Sequence, residues 1–382
     1  MFCSSQLNQK RKGLGPNLTP KILLDFINAN GNILLALSAS QPAPTSIVST
    51  LLELDIHLPS DRQGLVVDHF NYDVLSAPEK HDVLVLPPPG VLRPDIKDFF
   101  NPVSADGGVI AFPSGTGQTL GSGALLTPIL RAPATSYSYN PKEQAEVVDE
   151  LFASGSQLSL VSTFQARNSA RFTVVGSAEM LSDKWFDAKV KKVGEKKEVS
   201  TVNREFAKRV AGWTFKEIGV LRVNWIEHHL NEVGQSNASN PKIYRIKNDV
   251  YSWDKYIPFT VPDNDDLQLE FSMLSPFHRL QLNPTISSED STTYSVSFKL
   301  PDQHGIFNFK VNYKRPFYSN VEEKNTVSVR HFAHDEWPRS YVISGAWPWI
   351  AGIVATVTGW LGFCALWLYS KPTTTSDSKK RQ

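Results

Sequence analysis

Hydrophobic residues along this chain change their spacing twice, and each change marks a different kind of element. In the first half, helically spaced apolar residues alternate with short unbroken apolar runs. ILLDFIN (22–28) has helical spacing and stops at Asn30-Gly31, and 47–54 repeats that spacing. ILLAL (33–37), the run at 64–68 and VLVL (83–86) read as strands buried on both faces. The alternation continues with a helix over 147–152, strands over 159–164 and 172–175, and an amphipathic helix in NREFAKRVAGWTFKE (203–217). Phe206, Val210, Trp213 and Phe215 supply the apolar face of that last helix. Such an order predicts an α/β domain over 21–218, its sheet mostly parallel, behind a polar tail at 1–20. From Val220 to Phe332 the period drops to two, as in YSVSFKL and IFNFKVNY. One buried face per strand predicts an antiparallel β-sandwich over 219–335.

The second change ends in a run of another kind. Ala346 to Tyr369 contains no charged residue, which is long enough for a helix to cross a bilayer, where about 20 apolar residues are needed. Trp347 and Trp349 stand at one edge and Trp367 and Tyr369 at the other, the levels at which amphipathic rings favour headgroups. Lys371, Lys379, Lys380 and Arg381 follow, opposed only by Asp377. An excess of Lys and Arg marks the cytosolic flank, so residues 370–382 are expected in the cytosol and the bulk of the chain in a lumen. Lys379 and Lys380 stand fourth and third from the carboxyl end, the placement of a dilysine retrieval signal, read by a receptor in the early secretory pathway. Within the span Ala351, Ala355, Gly359 and Gly362 share one helical face, where small residues let another membrane helix approach closely.

A formal charge of +1 offers no basic face for nucleic acid. Cysteine is neutral on compartment, with Cys3 in the polar tail and Cys364 inside the span. The start, MFCSSQLNQKRKGLGPN, has no apolar h-region, so a lumenal chain is expected to be incomplete at its N-terminus. Asn237 heads an Asn-Ala-Ser sequon in a polar stretch and is a candidate glycosylation site.

Catalytic chemistry is hard to place. GTGQTLGSG (115–123) lacks the Gly-Lys-Ser/Thr ending of a phosphate loop and reads as a flexible surface loop. His228-His229 and the group Asp263, Asp265 and Asp266 have no partners at metal-ligand spacing, and adjacent histidines on a strand point to opposite faces. The lysine-rich KVKKVGEKKE (189–198) reads as a solvated loop or frayed helix. No catalytic residue, cofactor site or metal site emerges.

Several longer stretches resemble one family in order: GNILLALSAS, VVDHFNYD, SYSYNP, FQARNSARFTVVGSAEMLSDKWF, NREFAKRVAGWTFKEIGVLRVNWIEHH, LQLEFSMLSPFHR and YSVSFKLPDQHGIFNFKVNYKRPFYS. This family is the beta subunit of the oligosaccharyltransferase complex, the Wbp-type or dolichyl-diphosphooligosaccharide glycosyltransferase 48-type subunit. The resemblance implies a single-pass type I protein of the endoplasmic reticulum membrane. Its complex transfers a dolichol-linked oligosaccharide to asparagine in Asn-x-Ser/Thr sequons. It further implies an accessory role, with catalysis in a separate multi-span subunit. Expected partners are that catalytic subunit, a ribophorin-type subunit, a small defender-against-death-type subunit and membrane lipid. Two other readings stay open on the residues alone: a free-standing lumenal receptor or adaptor of the early secretory pathway, and an enzyme using its α/β domain for nucleotide chemistry.

Overall fold

The computed structural model describes residues 2–3, 18–62, 64–90, 99–102, 108–141, 151–223, 226–230, 240–245, 249–257, 267–287, 292–333 and 346–369. The first part of the chain runs β1 (Phe2–Cys3), α1 (Pro20–Asn28), β2 (Ile33–Ala36), α2 (Thr45–Glu53), β3 (Ile56–His57), β4 (Leu65–Val67) and β5 (Val83–Leu86). It continues through β6 (Ile110–Pro113), β7 (Thr119–Leu120), β8 (Leu126–Arg131), β9 (Tyr137–Tyr139), β10 (Ser159–Gln165) and β11 (Arg171–Val175). α3 (Asp183–Phe186), β12 (Lys189–Val190), β13 (Val199–Ser200) and α4 (Asn203–Thr214) complete it.

Local chemistry sets the helices. α1 starts where the Thr19 hydroxyl accepts from the Ile22 N–H and Pro20 opens the first turn with its φ already helical. Side chains of β2 alternate: Ile33 and Leu35 join Phe172 and Val174 of β11 beneath α1 and α2, while Leu34 and Val175 face the opposite core, which holds Phe206, Val210 and Trp213 of α4. The sheet is thus covered on both faces.

Its direction differs from the sequence expectation. The order is β1-β2-β11-β10-β8; β1–β2 and β2–β11 are parallel, whereas β11–β10 and β10–β8 are antiparallel. The pairs β3–β7, β4–β9 and β5–β6 are antiparallel as well. The sheet structure is mixed rather than mostly parallel. Unbroken apolar runs report burial on both faces, which β4, β5 and β6 do show, but they carry no information on strand direction. Residues 166–170, between β10 and β11, are too few for a parallel crossover.

The glycine-rich stretch is also more ordered than its composition predicts. Gly115, Thr116, Gly117 and Gln118 are buried, and Thr116 and Gln118 bridge to Leu65 and Ser159. A side chain at Gly117 would meet Leu158 and Val66 at 2.7 and 2.9 Å, so this glycine serves close packing and not a flexible loop. The lysine-rich stretch 189–198 is the solvated loop expected of it over most of its length: Lys189 and Val190 form β12, which pairs with β13 just beyond the stretch, and residues 194–198 are exposed around the turn at Gly194 with φ +81°. Residues 147–150 of the expected helix lie outside the described residues, and Leu151 and Phe152 are not helical.

The second part contains β14 (Ile226–Leu230), β15 (Ile243–Arg245), β16 (Asp249–Ile257), β17 (Gln268–Ser272) and β18 (Pro276–Gln281). β19 (Asn283–Ser287), β20 (Thr292–Ser295), β21 (Phe298–Lys299), β22 (Gly305–Tyr313) and β23 (Val321–Arg330) follow. They form two sheets, β14-β16-β20-β19 with β21 on β16, and β15-β23-β22-β17-β18. All pairings are antiparallel except β15–β23. Phe271, Phe307, Phe309 and Val311 face inward, and Phe271 and Phe309 meet Phe298 and His228 of the other sheet at ring distances of 5.4 and 4.9 Å. This is the two-sheet packing that the period of two predicts. α5 (Trp347–Leu368) closes the described chain as 22 uncharged residues, none of them buried.

Candidate functional site

The two parts meet at a buried cation. Arg171, the first residue of β11, is fully buried and donates to four carbonyl oxygens. Nη1 reaches Trp213 O at 2.5 Å and Ile218 O at 2.8 Å; Nη2 reaches Gly219 O at 2.6 Å and Phe317 O at 3.2 Å. The guanidinium stacks 4.6 Å from the Trp213 ring centroid. Burial lowers its pKa to about 10, which leaves it charged at neutral pH. Trp213 adds a hydrogen bond from Nε1 to Phe317 O at 2.9 Å, and its ring meets Phe100 and Phe317 edge-on. Ser319 joins Leu221, and the Asn320 N–H donates to Ser169 Oγ at 2.8 Å. One arginine therefore ties the central sheet, the end of α4 and the β22–β23 connection together. A cleft of about 360 Å³ opens beside this junction, bordered by Leu125, Arg167, Lys314, Arg315 and Asn320. Its described lining contains no His, Cys, Asp or Glu, the groups that general acid–base chemistry draws on most.

A second polar cluster follows β4. Asp68 is buried and accepts from the Phe70 and Asn71 N–H groups at 2.8 and 3.0 Å and from the Thr135 and Ser136 hydroxyls at 2.7 Å each. Burial by itself would raise its pKa; the hydrogen bonds from Thr135, Phe70, Asn71 and Ser136 together outweigh it and hold the carboxyl below the usual range. Its acceptor capacity is used in shaping the loop. On that loop His69 and His81 share a hydrogen bond between their Nδ1 atoms at 2.5 Å, and Tyr72 stacks on His81. The run at 64–68 reads as strand, but β4 ends at Val67 and Asp68 opens the loop; nothing in sequence ties it to Thr135 and Ser136, nearly 70 residues away.

The residues singled out in sequence are dispersed. His228 is buried in the sandwich, 2.6 Å from the Tyr244 hydroxyl, while His229 lies on the other side of β14 and is half-buried. Burial, then the neighbouring His229, pulls His228 down to about 4, and burial raises the Tyr244 phenol. This is a neutral core hydrogen bond. Among the described residues no three His, Cys, Asp or Glu side chains gather as metal ligands. Ala351, Ala355, Gly359 and Gly362 lie on α5, and added Cβ atoms at Gly359 and Gly362 would meet nothing within 4 Å. Asn237, Asp263, Asp265, Asp266, Lys379 and Lys380 lie outside the described residues.

Comparison with known proteins accounts for nearly the whole chain. Residues 6–217 match the family described as OST48, N-terminal domain, and residues 228–371 match the OST48 middle domain. A Schizosaccharomyces pombe protein, "Dolichyl-diphosphooligosaccharide--protein glycosyltransferase subunit wbp1", is 34% identical over 376 residues, which cover 96% of this chain and 80% of the relative. The Danio rerio "Dolichyl-diphosphooligosaccharide--protein glycosyltransferase 48 kDa subunit" is 33% identical, covering 95% of this chain and 79% of its own. The Arabidopsis thaliana protein of the same name is 28% identical, covering 94% and 79%. With both family regions in order and a third of the residues shared with relatives this distant, the chain belongs to the OST48 family.

Proposed function

We propose that this protein is a non-catalytic subunit of the endoplasmic reticulum oligosaccharyltransferase complex, which transfers a dolichol-linked oligosaccharide to asparagine in Asn-x-Ser/Thr sequons. The carrying observation is the continuous match to OST48-family subunits across both family regions. The buried polar groups described above add support: Arg171, Asp68 and His228 are each engaged in holding the fold.

The finer reading follows from sequence. Residues 21–218 and 219–335 form two lumenal domains, α5 crosses the membrane once, and 370–382 are cytosolic, because Lys and Arg gather after Tyr369. Lys379 and Lys380 act as a retrieval signal for unassembled chains, and Asn237 accepts glycan. The face of Ala351, Ala355, Gly359 and Gly362 packs against a partner span. Catalytic, ribophorin-type and defender-against-death-type subunits are the partners.

Native pull-down of the tagged full chain in mild detergent tests the reading. Co-purification of multi-span membrane subunits with oligosaccharide-transfer activity is expected. Recovery of the chain alone, with transfer activity left in the unbound fraction, would return the free-standing receptor reading.

A further inference from the structure

The ends of the β-sandwich differ, and the difference concerns the membrane. At one end of β22 and β23, residues 313–321 carry Phe317 and Ser319 into the junction around Arg171 and Trp213, so that end is covered by the first part of the chain. β22 is nine residues long, which sets the opposite end about 27 Å away. From that opposite end β23 leaves at Arg330, and 16 residues lie between it and the start of α5 at Trp347. A chain of that length spans at most about 60 Å.

Among the described residues, this end carries an apolar row on its outer face. Ile243 of β15 pairs with Ser328 of β23, and Ser328 pairs with Ile306 of β22. The inward residues of these strands, Tyr244, Val329 and Phe307, are buried, so Ile243, Ser328 and Ile306 point outward. Ile243 is 47% exposed and Ile306 62%. β17 pairs Ser272 with Asn308, and two residues further Leu274 lies in the turn to β18, at the same end of the sheet as Ile306. Leu274 is 98% exposed, while Met273 beside it folds back over Gly305. Three large aliphatic side chains thus stand exposed at the sheet end from which the chain leaves for α5. Lys242 adjoins Ile243 in sequence, and Arg330 lies on the same face one pair beyond Ser328.

We propose that this end of the sandwich rests on the lipid surface, with Leu274, Ile306 and Ile243 at headgroup level and Lys242 and Arg330 against lipid phosphates. The occupant is the bilayer, not another protein, because the chain leaves this end for α5, while the opposite end is covered by the first part of the chain. Burying exposed aliphatic side chains is favourable, and a tethered domain does not lose translational freedom afresh on contact. Flanking cations complete an interfacial pattern of apolar contact with basic neighbours. The inference depends on α5 as the anchor and is independent of membership in a complex.

The test uses the full chain with Cys3→Ser and Cys364→Ser, reconstituted in phosphatidylcholine vesicles. An environment-sensitive fluorophore is placed by Leu274→Cys or, as a control nearer the junction end of β23, by Lys324→Cys. The label at position 274 is expected to emit at shorter wavelength, to be quenched by lipids nitroxide-labelled near the headgroup, and to resist aqueous iodide. The label at position 324 is expected to behave oppositely. Equal iodide access at both positions with no quenching by lipid would overturn the proposal. So would shielding at position 274 that develops only in assembled complexes and without lipid quenching, which would assign the row to a protein partner.

Discussion

Replacing Arg171 by methionine is the sharpest test of how the two parts of the chain are held together. Methionine fills most of the same volume but removes every donor. Ile218 O then loses the only hydrogen bond found for it among the described residues, and a stranded buried acceptor costs about 1–3 kcal/mol. Trp213 O, Gly219 O and Phe317 O keep a second donor each, from Lys216 N, Ser319 N and Trp213 Nε1, so their losses are smaller, roughly 0.5–1.5 kcal/mol apiece. Against this stands relief from burying a cation: a fall from 12.5 to about 10 corresponds to roughly 3 kcal/mol. The sum runs from about −0.5 to 4.5 kcal/mol with its middle near 2, a net destabilisation concentrated at the junction. Denaturant unfolding of the full chain in detergent, followed by pulse proteolysis, measures it. A preferred early cut is expected in the segment after α4. Arg204→Met serves as the comparison, since Arg204 pairs with Asp187 only at the exposed surface and should leave the midpoint nearly unchanged. If Arg171→Met shifted the midpoint no more than Arg204→Met, the buried arginine would not be the tie between the parts.

Gly219→Ala should also loosen the junction: φ is +68° and the new Cβ would lie 2.5 Å from Phe317 O, so a lowered unfolding midpoint is expected, whereas Gly194→Ala, with open space at φ +81°, should show only the backbone cost. His228 titrates near 4 in the fold against 6.5 when unfolded; the unfolded chain binds more protons between these values, so stability is full above about pH 6.5 and is lost as pH falls toward 4. His228→Phe should flatten that slope in unfolding curves taken across the window; an unchanged slope would assign it elsewhere. Gly359→Leu should reduce recovery of partner subunits in mild detergent more than Leu361→Ala, because Leu361 points about 200° away from Gly359. Equal recovery would remove the small-residue face as the packing surface.

Periodicity revealed those features that depend on one segment at a time. The uncharged span, α1, α2 and α4, and the alternating strands of the second part follow from spacing and caps near in sequence. Strand direction did not follow, because β4, β5 and β6 are buried on both faces and read alike in either orientation. Gly115–Gln118 misled for a related reason: glycine permits a flexible loop and close packing equally, and only Val66 and Leu158, brought from elsewhere, decide between them. Arg171 was invisible as a junction residue. A charged side chain opening an apolar strand suggests a solvated end, while its carbonyl partners lie 42 to 146 residues further along the chain.

The central claim is that this chain belongs to a glycosyl-transferring assembly without performing the chemistry. Complexes assembled around the chain carrying His228→Ala, His229→Ala, Asp265→Ala and Asp266→Ala test it most directly. Transfer from a lipid-linked oligosaccharide to a sequon peptide is measured per assembled complex, so that weakened folding at His228 does not enter the rate. Rates within a few-fold of the unsubstituted complex are predicted. A catalytic acid or base contributes about 10²–10⁴-fold, and a loss of that size in fully assembled complexes would contradict the non-catalytic reading.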